Sequence, residues 1–360
     1  MIHVITPSCR PESLPMVAMN VARARARTEL QWTVVLDACI VSEADVPKGI
    51  GIDRLIPFRS TVRGSGGNYL RNVAIDEITD SDAWLVMVDD DNLLSLSLVD
   101  ALIHEPIETD WLMPSRVMPD GSVVWPPAFP ESGNIDTAQI VLRRRAVGDL
   151  RFGMEYDADG LLAAAVYIRN PTISRRSDIE VTYNGLQLAP PRRWDLVPGW
   201  LNVPDMYERV LWEMSAGGSL VEMGIHCGKS TVLLLERMKE WKKPVDFHVV
   251  DVWMDPSVRS TWEAVSRWYR PLFAELWMPS TSAAQQFDNE SLDAVIIDGD
   301  HGYKSVRDDL AAWLPKVRRG GIVAGDDYRN PTWPGVERAV HEALGEVEFI
   351  APMGFFWRKS

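Results

Sequence analysis

The residues best suited to chemistry lie between Asp293 and Tyr328, in the run DAVIIDGDHGYKSVRDDLAAWLPKVRRGGIVAGDDY. Apolar Ala294 to Ile297 runs into Asp298, Asp300 and His301, and apolar Gly321 to Ala324 runs into Asp326 and Asp327. Carboxylates gathered at one point repel unless a cation joins them, and a hard divalent ion suits such a set. A solvated acidic loop is the plainer reading of the same residues. A second acidic tip follows Trp84 to Val88, as Asp89, Asp90 and Asp91. An Asp-x-Asp pair can hold a divalent ion that bridges a diphosphate, while an Asp-rich turn is the alternative. Asp37, after Trp32 to Leu36, could accept from a base or a ribose. Arg71 could reach a phosphate bidentately.

A third stretch, SLVEMGIHCGKSTVLLLERM at 219–238, runs an apolar strand into Glu222, a turn with Gly224 and Gly228, and a long helix. The glycines are expected to let a ligand approach the backbone, and the helix N-terminus favours a carboxylate or phosphate. A P-loop would need four residues between its glycines, and three are present. The Gly-x-Gly-x-x-Gly fingerprint is absent.

The elements that must position these residues alternate strand and helix. Val306 to Val317 has helical spacing between the two acidic runs. Strand, helix, strand makes parallel neighbours whose C-terminal ends share the edge where ligands of open α/β sheets bind. Upstream, the spacing predicts a strand at 2–6 ended by Pro7, a helix at 16–30, a strand at 32–36, loop at 47–66 and a helix through Ile78. Arg169 to Asp195 reads as a tail and linker, with a last short strand at Tyr183-Asn184. A helix follows near 204–214. Strands are expected at 245–250, 346–350 and 354–357.

Length favours two domains, at 360 residues. A net charge of −14 argues against nucleic acid and against a polybasic membrane patch. Cys9, Cys39 and Cys227 make neither a disulfide framework nor a metal spacing, which suits a reducing cytoplasm. No signal segment and no run of membrane length is read.

Thr6-Pro7, Asp37, Gly67-x-x-x-Arg71-Asn72 and the Asp89-Asp90-Asp91 tip resemble the GT-A glycosyltransferases, specifically small members related to family 2. The resemblance implies a nucleotide-sugar donor bound through Thr6, Asp37, Arg71 and Asp89, with Mg²⁺ or Mn²⁺ between Asp91 and the diphosphate. It makes Gly133 to Leu142 the strand that closes the acceptor side. Gly153 to Gly160 becomes the acceptor-facing acidic segment, with Asp157 and Asp159 as candidate bases and Glu155 behind them.

The Glu222–Gly228 turn and the later acidic tips are similar to class I S-adenosylmethionine (SAM) methyltransferases. Within them they resemble the metal-dependent O-methyltransferases that include catechol and macrolide-sugar enzymes. That resemblance implies SAM bound by Glu222, Gly224, Gly228 and Asp251, with Asp251 on the ribose. Ser280 to Phe287, Ser282 included, would flank the adenine. Asp298, Asp326 and Asp327 would hold Mg²⁺ or Mn²⁺. His301 would be the base, where catechol enzymes carry Lys.

The expected architecture is therefore α/β in two domains: a small GT-A nucleotide-binding domain at 1–185, a linker at 186–200, and a seven-stranded, Rossmann-like methyltransferase domain at 201–360. The expected function is bifunctional. One half would transfer sugar from a nucleotide-sugar to a glycan or glycoside, and the other would O-methylate a sugar hydroxyl. Three alternatives stay open: a non-catalytic sugar- or nucleotide-binding first half, methylation of a phenolic or antibiotic scaffold, and an assembly protein with two degenerate sites. The helix at 204–214 could serve a homo-oligomer.

Overall fold

Seven consecutive buried residues, Ile2–Ser8, form β1 in the interior of the first sheet. The computed structural model describes residues 1–59, 67–118, 122–131, 134–153, 157–182 and 194–360. The chain divides into two compact α/β units, Met1–Pro190 and Pro191–Ser360. In the first, β1 lies between parallel β2 (Leu30–Asp37) and β4 (Trp84–Met87), with β3 (Arg54–Phe58) parallel beyond β2. Next to β4 comes antiparallel β7 (Val141–Arg143), then β5 (Trp111–Val117). Strand β5 also pairs with β6 (Val123–Val124) and, in parallel, with β8 (Ile173–Thr182). Ile2, Val4, Val34 and Val86 pack on one face, and Ile5, Val35, Leu85 and Met87 on the other. Burial on both faces explains why these strands read as continuous apolar runs.

Several expectations for this unit are corrected. Pro7 does not end β1. Odd-numbered β1 residues bond towards β4, as Val88 N–H donates to the Ile5 carbonyl, and β4 stops at Met87. The missing Pro7 N–H therefore removes no ladder bond. The first helix spans Leu14–Arg25, and β2 has already begun at Leu30. Strand β3 lies inside the stretch read as loop, because it is a half-buried edge with little apolar signal. Strand β8 lies inside the stretch 169–195 read as tail and linker, where Arg175, Arg176 and Asp178 hide its pairing with β5. Of the expected strand at 133–142, only its end joins β7, and Thr137–Gln139 is a short helical turn. Tyr183, Asn184 and Glu155 lie outside the described residues.

The second unit holds a seven-stranded sheet in the order β11-β10-β9-β12-β13-β15-β14. Its strands are β9 (Ser219–Met223), β10 (Asp246–Asp251), β11 (Phe273–Trp277), β12 (Leu292–Ile297), β13 (Val317–Gly325), β14 (Glu348–Ile350) and β15 (Gly354–Arg358). The five from β11 to β13 are parallel, and β15 runs antiparallel to β13 and β14. Helix Tyr303–Trp313 links β12 to β13, starting earlier and ending earlier than its spacing predicts. Residues 194–200, expected as linker, lie on this unit. The Lys229 ammonium donates to the Gly199 carbonyl at 3.2 Å, and the Trp200 ring sits 5.7 Å from that of His226. Among the described residues no helix is long and apolar enough to cross a membrane.

Two glycines with left-handed backbones separate strain from close packing. Gly217, at φ +81°, has open space where a Cβ would sit, whereas Gly228, at φ +91°, would place one 2.5 Å from the Trp262 ring. Gly217→Ala is expected to lose roughly 1–2 kcal/mol and Gly228→Ala roughly 3 or more, since overpacking adds to strain. Urea unfolding of the two variants checks this, and equal losses would contradict the packing assignment.

Candidate active site

Parallel pairing brings the C-terminal ends of β9, β10, β12 and β13 to one edge. Asp298 N–H donates to the Met223 carbonyl at 3.1 Å, and Asp326 N–H to the Ile297 carbonyl at 3.2 Å. The turn after β9 is glycine-bearing for a reason the sequence did not reveal. A Cβ on Gly224 would fall 1.8 Å from the Asp298 carbonyl oxygen, and one on Gly228 would strike Trp262. On their Cβ sides both glycines admit other parts of the protein. Non-glycine residues also take left-handed backbones on this edge: His226 (φ 52°), Trp253 (φ 37°) and Asp327 (φ 57°). Such conformations concentrate where surrounding structure enforces them, commonly at functional sites.

Asp251 ends β10 and ties two turns together. One carboxylate oxygen accepts from Ile225 and His226 N–H at 2.8 and 2.9 Å, and the other from Trp253 N–H at 2.7 Å. Its main observed partners are thus backbone groups rather than an open face towards a ribose. Trp253 donates its indole N–H to the His226 carbonyl and stacks on Trp262. Ser282 is exposed on the turn Ser280–Ala283. Ser280 is the serine seated at β9, accepting from Trp313 Nε1 at 2.7 Å and contacting Met223 Sδ at 3.2 Å.

Glu222 is fully buried in β9. Its Oε2 accepts from the Thr231 hydroxyl at 2.7 Å, while Oε1 has no hydrogen-bond partner among the described residues. Burial pushes its pKa up to about 7, against the Ser230 and Thr231 hydroxyls, and the Asp251 charge adds to the rise. An orphaned buried carboxylate oxygen is costly and favours a cationic group. SAM, with its ammonium and sulfonium, fits that requirement.

The tips of β12 and β13 carry the acids. Asp298 Oδ2 accepts from the buried Tyr207 hydroxyl at 2.6 Å. Burial, then the charge of Asp326, raises the Asp298 pKa well above the usual carboxylate range. Burial pushes Asp326 up to about 6, and the Asp327 charge adds to it. Burial and then Asp298 hold the Tyr207 hydroxyl far above its ordinary pKa, so it remains a donor. Asp327 Oδ2 stands 3.1 Å from His301 Nδ1, and Asp327 Oδ1 accepts from Asn330 Nδ2. A carboxylate only accepts, so a proton on Nδ1 would face Asp327 and would leave Nε2 to accept. Among the described residues no Lys or Arg pairs with Asp298, Asp326 or Asp327. Nor do three or more His, Cys, Asp or Glu side chains stand in metal-holding geometry. The donors are nonetheless the hard oxygens a divalent ion prefers, and their repulsion is only partly relieved.

A family model described as a methyltransferase domain matches residues 221–328, from inside β9 to just past β13. The C-terminal unit is a class I SAM-dependent methyltransferase domain. The uncharacterized protein R132 of Acanthamoeba polyphaga mimivirus is 34% identical over 58 residues, 16% of this chain and 26% of that protein. The chain thus matches about a quarter of that relative's length. Among solved structures, CalS11, a TDP-rhamnose 3'-O-methyltransferase of calicheamicin biosynthesis, is 18% identical. That match covers 43% of this chain and 76% of the other, with a TM-score of 0.34. The O-methyltransferase NovP is 23% identical over 44% and 77% of the two chains, also at 0.34. Tyr207 and Asn330 are the methyltransferase-site residues that sequence reasoning missed. A tyrosine inside the apolar stripe Met206, Val210, Leu211 was the available signal, because a buried hydroxyl seeks a partner.

In the N-terminal unit the predicted residues are distributed differently. Thr6 is fully buried and accepts from Trp32 Nε1 at 3.0 Å, so it braces β1 against β2. Asp37 ends β2 and accepts from Cys39 N–H. Arg71, buried, pairs with Asp89. Asp91 pairs with Arg10 at 3.0 Å. Asp157 precedes helix Ala158–Ile168, and Asp159 lies in its first turn. Burial raises Asp159, and Arg71 and Arg116 oppose the rise. Burial also raises Asp136, and the Asp159 charge adds to it. Asp159 thus shares its surroundings with Arg71, the partner of Asp89. The divalent ion expected at Asp91 does not fit, because an arginine already stands against that carboxylate.

Glu222 generates a pH test. Its folded-state pKa of about 7 lies above the ordinary 4.5, so between these values the folded chain keeps a proton that the unfolded chain has lost. Stability from this group is present below 4.5 and falls as pH rises to 7, by ~3 kcal/mol at most. Glu222→Gln should therefore gain ~2–3 kcal/mol on wild type between pH 5 and 8. Urea unfolding without SAM measures it, and a pH-independent difference would contradict a proton-holding Glu222.

Proposed function

We propose that the methyltransferase unit transfers a methyl group from SAM to a hydroxyl oxygen of a sugar. The observation that carries this reading is His301 Nδ1 at 3.1 Å from Asp327, on the same edge as Asp298 and Asp326. Asp327 orients the imidazole, and His301 Nε2 is left to take the hydroxyl proton as the oxygen bonds to the methyl carbon. SAM supplies the methyl group, and the carbon–sulfur electron pair stays on the departing thioether. Asp298 and Asp326 would hold a divalent ion, which lowers the pKa of a neighbouring hydroxyl. Glu222 would receive the cofactor's cationic end, and Asp251 would keep the two turns around it in place. The preference for sugar rests on His301 standing where catechol enzymes carry Lys. A phenolic or antibiotic scaffold is the competing substrate class.

For the N-terminal unit the proposal is binding of a nucleotide-sugar or glycoside through Arg71, Asp89 and Asp37. Glycosyl transfer with Asp159 as base is the second reading, favoured by the shared surroundings of Asp159 and Arg71. Incubation with labelled SAM, Mg²⁺ and a panel of nucleotide-sugars, glycosides and phenols tests the substrate class. Methylation of phenols alone would overturn the sugar assignment.

His301→Ala should reduce methyl transfer on the order of 10²-fold or more, as loss of a general base does. SAM affinity, read by calorimetry, should not change. Undiminished turnover in that variant would remove His301 from the mechanism.

A further inference from the structure

The acidic tip of β4 carries its own counter-charges. Asp90, almost fully buried, accepts from the Ser8 hydroxyl at 3.0 Å, Cys9 N–H at 3.0 Å, Arg10 N–H at 2.9 Å and Arg10 Nε at 2.9 Å. Arg10 Nη2 reaches on to Asp91 Oδ2 at 3.0 Å. Asp89 is paired by Arg71, which also donates to Asn68 Oδ1 at 2.8 Å. Each of the three carboxylates thus has a guanidinium against it. The seat is made by the end of β1, so the β1–β4 pairing itself delivers Arg10 to the tip.

We infer that Arg10 is the built-in cation of the Asp89–Asp91 tip, and that no divalent ion binds there. An ion at Asp91 would have to displace Arg10 Nη2, the nitrogen that bridges Asp91 and Asp90, while Arg10 Nε stays held on the almost fully buried Asp90. Charge-assisted bonds of this kind are the strong ones, and Arg cannot release its proton to leave. The Asp-x-Asp spacing that suggests a metal site is therefore already satisfied from within. A diphosphate arriving at this edge, on the nucleotide-binding reading proposed above, would meet the partly exposed Arg10 side chain and not an ion.

The test is Mn²⁺ binding by electron paramagnetic resonance on the full chain carrying Asp298→Asn and Asp326→Asn, which silences the candidate ligands in the other unit. That chain should bind no Mn²⁺ at millimolar concentration. Adding Arg10→Ala should create one site, and adding Asp91→Asn to that variant should abolish it. Arg10→Lys, which keeps the charge with less disturbance to folding, should stay without Mn²⁺. Mn²⁺ bound with Arg10 intact and lost on Asp91→Asn would overturn the inference. So would an Arg10→Ala chain that melts normally yet gains no site. Calorimetry with UDP in EDTA separates this from the nucleotide reading. UDP binding that requires Mn²⁺ overturns the inference. Absence of UDP binding with and without Mn²⁺ removes the nucleotide reading and leaves the Mn²⁺ result to stand alone.

Discussion

A carboxylate on the last residue of a parallel strand sits at a buried edge, beside the ends of its neighbours. Several such groups cannot all stay ionised there without compensation, because low dielectric magnifies both desolvation and mutual repulsion. This constraint acts on both units, and each answers it with different residues. In the N-terminal unit Arg10 and Arg71 stand against Asp89, Asp90 and Asp91. In the methyltransferase unit the described partners of Asp298, Asp326 and Asp327 are a tyrosine hydroxyl, a backbone N–H, an imidazole and an amide. The first set is charge-compensated from within. The second has no Lys or Arg against it among the described residues, and burial there raises Asp298 and Asp326 instead.

The surrounding backbone is arranged to hold that second set in place. Gly224 lets the β9 turn lie directly on the Asp298 carbonyl, and Asp251 pins the same turn by three N–H bonds. Residues 194–200 then lie against the turn through Gly199 and Trp200. Left-handed His226, Trp253 and Asp327 mark where the chain is bent to suit the edge. In this light the turn glycines serve the assembly of the site before any ligand arrives.

The parts legible from sequence were those where an apolar run meets an abrupt polar stop. Strands β9, β12 and β13 and the acids at their tips were readable for that reason, as was the closing pair β14–β15. Strands β3 and β8 were not, because an edge strand with charged or polar residues has no distinct periodicity before it finds its neighbour. The sites divide in the same way. Residue types at the tips could be named, but their partners could not. Arg10 lies 80 positions from Asp90, and Tyr207 lies 91 from Asp298. The β1–β4 pairing brings the first pair together, and packing of the helix Pro204–Glu213 against the second sheet brings the other. At Asp91 the spacing suggested a metal ion, and the sequence could not show that the Arg10 guanidinium stands against that carboxylate.

The most direct measurement is anomalous diffraction from crystals of the full chain grown with Mn²⁺ and SAM. One Mn²⁺ peak between Asp298 and Asp326, with His301 facing the transferable methyl group and no peak at Asp89–Asp91, is the expected result. A peak at Asp91 with Arg10 displaced, or a methyltransferase edge that stays metal-free with Tyr207 still bonded to Asp298, would contradict this division of charge between the two units.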